Sequence, residues 1–313
     1  MNFEALSAPL EALEDCAFCP RNCHVNRLTG KSGYCKSDSS FNISAICIHM
    51  GEEPPVSGSK GICNIFFTNC NLQCIYCQNH QISDNSISRT FSGMELEEVV
   101  KQVTSILDKG INRVGFVSPS HFIPQVQVII AAVRSLGYRP KWVYNTNGYD
   151  NPETLRSLEG VIDVYLPDFK YMDSGLSKII SDAADYPVVA AKALKEMHRQ
   201  KGSTLLLDGE NQIEAGMIIR HLVLPGYVEN SMKVLQFIAE ELSPRIHISL
   251  MSQYYPTPKV ASHPHLGRSI TKEEYLRVIA EMERLGMYQG WIQEFESASH
   301  YQPDFNKKHP FES

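Results

Sequence analysis

Three cysteines that lie within eight positions carry the strongest chemical signal in the sequence. Cys70, Cys74 and Cys77 stand in the stretch TNCNLQCIYCQNH, and no fourth cysteine lies beside them. A structural zinc site or an electron-transfer cluster needs four protein ligands, so these three thiolates cannot complete one by themselves. A cubane cluster on this loop would leave one iron free to bind another molecule. The spacing therefore predicts a reactive cluster.

A second group of cysteines precedes this loop. Its spacing is C-x2-C-x3-C-x11-C, and its members are Cys16, Cys19, Cys23 and Cys35. Four thiolates can saturate a tetrahedral metal ion or a cubane cluster. We expect a metal site whose positions are all filled by protein ligands, with either zinc or a second iron-sulfur cluster. Such a site could relay electrons or stabilise a segment that lacks a large core. Free thiols are the alternative, and His24 is a spare ligand candidate.

All nine cysteines lie in the first quarter of the chain. A secreted disulfide framework would be small and cysteine-dense throughout, so metal binding is the better interpretation and disulfides are the weaker one. Cys47 and Cys63 have no partner at a suitable spacing. We expect both to be buried as small apolar side chains.

Composition indicates an ordinary globular protein, with 313 residues, 43% hydrophobic and 20% charged. The apolar runs are shorter than the roughly 18 residues of a membrane span, and the acidic N-terminus does not resemble a signal peptide. We therefore expect a cytoplasmic protein with no membrane partner. A net charge of -6 without a long Lys/Arg run argues against a nucleic-acid partner.

From residue 62 onward, β-rich runs alternate with helical patterns. The predicted strands are 62–68, 113–118, 141–146, 161–166, 218–224, 246–251 and 290–295, and the predicted helices are 94–109, 123–136, 152–159, 187–200, 231–242 and 272–286. This alternation predicts a parallel sheet of βαβ units. Six or seven units are too few for a complete eight-fold barrel, which leaves a partial barrel or a doubly wound open sheet.

Two segments fall outside this alternation. Residues 1 to about 60 show little periodicity, and their GEEPPVSGSKG stretch is a predicted connection into the first strand. Residues 253–269 form a long loop rich in Pro and His. Such a loop is as consistent with an active-site lid as with a plain surface excursion.

The cysteine loop resembles that of the radical S-adenosylmethionine (radical SAM) enzymes, and Tyr76 matches the family's aromatic residue before the last cysteine. The resemblance implies an α/β fold, a partial (β/α)6 TIM-like barrel with a cysteine-rich N-terminal extension. It implies a metal-binding extension at 1–60, the barrel at 61–300 and a tail at 301–313. It also implies a [4Fe-4S] cluster on the three cysteines, whose open iron binds SAM. An electron from a donor such as flavodoxin or ferredoxin then cleaves SAM to a 5'-deoxyadenosyl radical.

Further motifs are similar to those of the pyruvate formate-lyase activating enzymes. YNTNGY, PDFKYMD and IRHLVLPG look like successive strand ends of that branch. GEEPPVSG, CQNHQIS and SQYYP resemble a subgroup whose substrate is generally unassigned. The resemblance implies a cofactor-binding site formed by Tyr76, Ser118, Asn145, Asn147, Asp168, Lys170 and Arg220.

Several of these positions have an alternative interpretation. Asn145 and Asn147 could belong to a turn, and Asp168 and Lys170 could form a surface ion pair. Arg220 is expected to meet the SAM carboxylate, because a planar guanidinium suits that group and an unpaired arginine is costly to bury.

The second strand departs from the branch. VSPSHF, at 117–122, stands where many members carry a Gly-Gly-Glu-like turn that contacts the SAM amine. Ser118, Ser120 and His121 are candidates to replace that contact, although a histidine alone in a turn is more typical of a supporting residue.

The resemblance implies hydrogen-atom abstraction, with a glycine of a partner protein as one candidate substrate. A small molecule or a modified residue stays open. A non-catalytic iron-sulfur or zinc protein that senses redox state or docks onto a partner is the main alternative, and the absent fourth ligand argues against it. The charge balance argues against an RNA-modifying radical enzyme.

Overall fold

The computed structural model describes residues 6–87, 93–295, 303–307 and 309–311. These residues form a sheet of nine strands: β1 (Ile43–His49), β2 (Ile62–Phe67), β3 (Arg113–Val117), β4 (Lys141–Thr146), β5 (Val164–Pro167), β6 (Leu206–Leu207), β7 (Ile213–Leu222), β8 (His247–Met251) and β9 (Gly290–Ile292). The α-helices are α1 (Pro54–Ser57), α2 (His80–Ser83), α3 (Leu96–Leu107), α4 (Ile123–Ser135), α5 (Pro152–Ser157), α6 (Ser174–Ser181), α7 (Tyr186–Lys201), α8 (Val228–Glu241) and α9 (Lys272–Arg284).

Seven strands run parallel and follow one another in chain order. The order is β1-β2-β3-β4-β5-β7-β8-β9, in which β1 is antiparallel to β2, and the short β6 pairs antiparallel with β7. A doubly wound sheet reverses its strand order at a switch point. This order has no reversal, so the doubly wound alternative is wrong.

The sheet curls into an open barrel. Ile62 of β2, Val143 of β4 and Ile218 of β7 belong to one buried cluster, against which Trp291 of β9 packs. In a flat sheet β2 and β9 would lie about 29 Å apart, at about 4.8 Å per strand. The barrel stays open because, within the described residues, β9 pairs with β8 alone. The predicted partial barrel is therefore confirmed.

Local sequence signals account for the ends of the outer helices. The Asn151 side chain accepts the Glu153 backbone N–H at the start of α5, as the Asn-Pro pair predicts. Thr271 and Glu274 form a capping box at the start of α9. The helices pack their apolar faces on the outer side of the strands, where most of the core lies.

The sequence analysis missed the strands β1 and β6 and the helices α1, α2 and α6. β1 is a half-buried edge strand, whose burial pattern does not alternate regularly. α6 has eight residues, too few for a clear helical period. The nine cysteines form no disulfide, and Cys47 and Cys63 are buried as expected. No helix in the described ranges is both long and apolar enough to cross a membrane.

Candidate functional site

The carboxyl ends of the parallel strands surround a cavity of about 430 Å³. This is the end of a β/α barrel at which active sites form, and the volume lies in the range of small-molecule sites. The structure brings every predicted loop and cofactor residue to this cavity: Cys70, Cys74, Tyr76, Cys77, Ser118, Asn145, Asn147, Asp168, Lys170 and Arg220.

The three-cysteine loop begins directly after β2. Asn69 adopts a left-handed backbone, with φ of 63°, and turns the chain into the cavity. The Asn85 side chain then fixes the loop, because it accepts the Cys70 N–H at 3.1 Å and donates to the Cys70 carbonyl at 2.9 Å. The loop is thus held in place by groups of the protein.

Each cysteine sulfur accepts a hydrogen bond from a different side chain. The donors belong to the loop after β4, to the end of α6 and to the end of α2. The pairs are Asn147 with Cys70 (3.4 Å), Ser181 with Cys74 (3.0 Å) and Ser83 with Cys77 (3.2 Å). Such donors stabilise negative charge on sulfur, as partners around the ligands of a metal site do. The three thiols therefore fit a cluster that carries negative charge.

Burial dominates the electrostatics of these thiols. It raises the pKa of Cys70 to about 12 and that of Cys74 to about 11, although Lys170 lowers the latter. Both thiols are therefore protonated at neutral pH when no cluster is bound. Because a ligating thiol must be deprotonated, binding of a cluster releases protons.

Asp168 and Lys170 form an ion pair inside the cavity, not on the outer surface. Their side chains are 2.6 Å apart and mostly buried. Burial disfavours the charged amine, yet Asp168 and Cys74 hold the pKa of Lys170 well above its ordinary value. The pair thus places a fixed positive and a fixed negative charge beside the cysteine loop.

Arg220 has partners that the sequence analysis missed. Its Nε donates to Glu53 at 2.8 Å, and its Nη2 donates to both Glu53 and Glu52. Burial opposes ionisation of Glu52, but Arg220, His49 and Asn64 lower the pKa of Glu52 to about 2. The GEEPPVSGSKG stretch, predicted as a connection, thus contributes to the cavity. The signal was an arginine within an apolar strand, which requires carboxylate partners.

The VSPSHF turn divides between the cavity and the core. Ser118 lines the cavity, has a left-handed φ of 51°, and donates its N–H to the Asn145 carbonyl at 2.7 Å. Ser120 and His121 are buried behind it. The His121 Nε2 lies 3.0 Å from the Thr68 carbonyl, which supports the end of β2.

The long loop at 253–269 begins as part of the cavity wall. Gln253 lines the cavity and accepts a hydrogen bond from the Gln78 side chain at 3.2 Å. Thr257 donates to the Ile75 carbonyl at 3.1 Å. Tyr254 is buried, with its ring 5.9 Å from that of Tyr76. These contacts place the first part of the loop against the cysteine loop.

Part of the C-terminal segment also reaches the site. Phe305 and Phe311 each lie 5.4 Å from the Phe66 ring, and Phe311 is 4.2 Å from the His49 ring. Pro303 and Phe311 line the cavity. Residues 301, 302, 308, 312 and 313 of the predicted tail lie outside the described part of the chain.

The four N-terminal cysteines lie close enough together to interact electrostatically. Burial raises the pKa of Cys19 to about 12, and the negative charges of Cys35, Cys16 and Cys23 act in the same direction. His24 instead pairs with Asp15 at 2.7 Å. The metal site that their spacing predicts stays a prediction.

Comparisons with known proteins agree with this geometry. A family model described as the Radical SAM superfamily matches residues 64–222, just over half of the chain. The uncharacterized protein MJ0674 of Methanocaldococcus jannaschii is 29% identical over 285 residues, which cover 88% of this chain and 76% of that protein.

Solved structures give weaker likenesses. Streptococcus suis SuiB bound to precursor peptide SuiA has a TM-score of 0.48 and 13% identity, over 72% of this chain and 47% of that one. A domain of pyruvate-formate lyase-activating enzyme from Bacteroides vulgatus has a TM-score of 0.39 and 16% identity, over 55% of this chain and 93% of that one. The chain thus spans about half the length of SuiB.

The family match begins within β2 and ends at the last residue of β7. It therefore includes the three-cysteine loop, the Asp168–Lys170 pair and Arg220. The match covers just over half of the chain and contains part of the cavity lining. The chain belongs to the radical SAM superfamily.

Proposed function

We propose that the protein abstracts a hydrogen atom from a substrate held at the mouth of the barrel. Membership of the superfamily implies a [4Fe-4S] cluster and SAM, which together supply the 5'-deoxyadenosyl radical when bound. One observation carries the proposal: three thiols, each with its own hydrogen-bond donor, face an Asp–Lys pair in a single cavity.

In this proposal the chain's own residues bind, orient and shield. Cys70, Cys74 and Cys77 would hold the cluster and leave one iron for SAM. Asn145 and the Asp168–Lys170 pair would contact the polar groups of SAM. Tyr76, whose hydroxyl lies 2.9 Å from that of Tyr171, would close one wall beside them.

Arg220 would meet the SAM carboxylate while it keeps its glutamate partners. The hydrogen bonds to Glu52 and Glu53 use Nε and Nη2, and within the described residues Nη1 is left for a ligand. A guanidinium has five donors in a planar fork, so it can bind the two glutamates and the SAM carboxylate at once. Ser118 would contact the SAM amine, as the Gly-Gly-Glu-like turn does in other members of the branch.

The first test is reductive cleavage of SAM. Protein purified and reconstituted without oxygen should produce 5'-deoxyadenosine when SAM and dithionite are added. Cys74→Ala should abolish the product, whereas Cys63→Ala, which changes a buried thiol that does not line the cavity, should retain it. Protein that holds iron yet never cleaves SAM would favour the redox-sensing or docking alternative.

The substrate in this proposal is a glycine of a partner protein, and a protein of the flavodoxin or ferredoxin type supplies the electron. The YNTNGY, PDFKYMD and IRHLVLPG motifs support this assignment by their resemblance to activating enzymes. Abstraction moves one hydrogen from the glycine Cα to the 5' carbon. Protein fractions from cells grown on deuterated glycine should therefore transfer deuterium to 5'-deoxyadenosine. Product that stays unlabelled with every fraction would argue for another substrate.

A further inference from the structure

The cysteine array consists of Cys16, Cys19, Cys23 and Cys35. Hydrogen bonds join the segment that carries this array to the three-cysteine loop. Arg21 lies between Cys19 and Cys23 in the sequence. Its Nε donates to the carbonyl of Asn71, the residue that follows Cys70, at 2.8 Å. Arg21 therefore connects the segment that carries the array directly to the three-cysteine loop.

Two further bonds reinforce this connection. The Arg21 Nη2 donates to the Asp182 carbonyl at 2.8 Å. Asp182 follows Ser181, whose hydroxyl donates to the Cys74 sulfur. The guanidinium also lies 3.6 Å from the centre of the Tyr34 ring, at cation–π distance. Arg21 is thus fixed on three sides.

Tyr34 provides a second connection. It precedes Cys35, and its carbonyl accepts a hydrogen bond from the Asn85 side chain at 3.0 Å. The same Asn85 amide donates to the Cys70 carbonyl at 2.9 Å. The segment that carries the array is therefore linked to Asn71 through Arg21 and to Cys70 through Asn85.

Both connections approach the loop from the side away from the cavity. Arg21, Tyr34, Asn71 and Asn85 are absent from the cavity lining, whereas Cys70 lines it. Residues 28–32, between Cys23 and Cys35, are exposed. An electron could thus reach the three-cysteine loop through the array when SAM and substrate fill the cavity and block a donor protein from that side.

Four thiolates suit either a tetrahedral zinc ion or a cubane cluster. Zinc has no redox chemistry, so only a cluster could use the connections to the three-cysteine loop for electron transfer.

We infer that the four cysteines of the array bind a second, closed iron-sulfur cluster. This array cluster passes the reducing electron to the catalytic cluster, which is the one on Cys70, Cys74 and Cys77. The inference rests on the proposed function. A reduced flavin or iron-sulfur donor protein gives one electron to the array cluster. The array cluster is reoxidised as the catalytic cluster is reduced by one electron, and neither step moves a proton or breaks a bond.

Metal content tests the site without any activity measurement. Reconstituted wild-type protein should hold about eight irons, since each cubane has four. A Cys70→Ala, Cys74→Ala, Cys77→Ala variant should keep about four irons and a cubane absorption spectrum. Zinc at the array with four irons in wild type, or loss of all iron from the loop variant, would overturn the inference.

The relay is tested with Arg21→Gln, which keeps every cysteine. With a reduced flavodoxin as donor, SAM cleavage should fall by about an order of magnitude, while the dithionite-driven rate should stay within about twofold. Arg139→Gln, at an exposed arginine that donates to the nearby Arg134 and Tyr138 carbonyls, is the control. An equal effect on both rates, or on neither, would contradict the relay. Failure of SAM cleavage with dithionite in wild type would instead contradict the proposed function.

Discussion

The Ser181 hydroxyl donates a hydrogen bond to the Cys74 sulfur at 3.0 Å, across 107 positions of the sequence. Ser181 ends α6, and its oxygen also lies 2.7 Å from the Tyr171 hydroxyl. A cluster-bound thiolate can only accept, so the Ser181 proton points to the Cys74 sulfur when the cluster is bound. The hydroxyl hydrogen thus places a partial positive charge beside the sulfur that would bind the cluster.

Ser181→Ala should lower the midpoint potential of the catalytic cluster. The reduced cluster carries one more negative charge, and a donor to sulfur stabilises that state. A redox titration followed by electron paramagnetic resonance measures the potential directly, independently of turnover.

Ser177→Ala is the matched control for this measurement. Ser177 lies one turn earlier on α6, is buried, and donates to the Ser174 carbonyl instead of a cysteine. Its substitution should leave the potential unchanged. Equal potentials for the two variants would show that the Ser181 bond has no influence on the cluster.

The frame of the barrel could be predicted from the sequence because its strands are short, buried and almost entirely apolar. The β2 run ICNIFF is buried at all six positions, and the cysteine loop follows it directly. A parallel sheet places such loops at one edge. The family resemblance singled out Asp168, Lys170 and Arg220, and the order of the strands explains why they meet the cysteine loop at one cavity.

The supporting contacts could not be predicted in the same way. Glu53 meets Arg220 across 167 positions, and a local pattern does not distinguish Ser83 or Ser181 from a surface serine. The closeness of Arg21 to Asn71 depends on how the N-terminal segment packs on the barrel. These contacts depend on tertiary packing, which a single sequence does not encode in any short window.

Arg220→Gln should destabilise the protein by about 3–5 kcal/mol at pH 7, because it leaves two buried carboxylates without their cation. Glu52 has a folded pKa of about 2 against an ordinary 4.5. Its contribution to stability is therefore complete above pH 4.5 and is lost as the pH falls towards 2. Urea unfolding at several pH values measures this effect.

Without Arg220, burial becomes the main influence on Glu52 and favours its neutral form. The cost of Arg220→Gln should therefore shrink as the pH falls from 7 towards 4. Additional Glu52→Gln and Glu53→Gln substitutions should recover part of the stability at pH 7. A loss that does not depend on pH would show that packing, and not charge, explains the effect.

Gly148→Ala should displace the backbone that carries the Asp168–Lys170 pair. Gly148 has φ of +80°, and a Cβ there would overlap the Asp168 carbonyl oxygen and lie 2.9 Å from the Tyr186 hydroxyl. Gly160→Ala is the control, since Gly160 has φ of +73° and open space around it. Left-handed strain alone should cost Gly160→Ala about 1–2 kcal/mol, and overlap should bring the cost of Gly148→Ala to about 2–5 kcal/mol.

The two glycine variants should also differ in SAM binding. In the folded Gly148→Ala protein, Asp168 would move away from its place beside Lys170, so SAM should bind more weakly, as measured by equilibrium dialysis. Gly160→Ala should bind SAM as wild type does, because Gly160 does not line the cavity. Similar stability and similar SAM affinity in both variants would mean that the backbone at Gly148 can relax without moving Asp168.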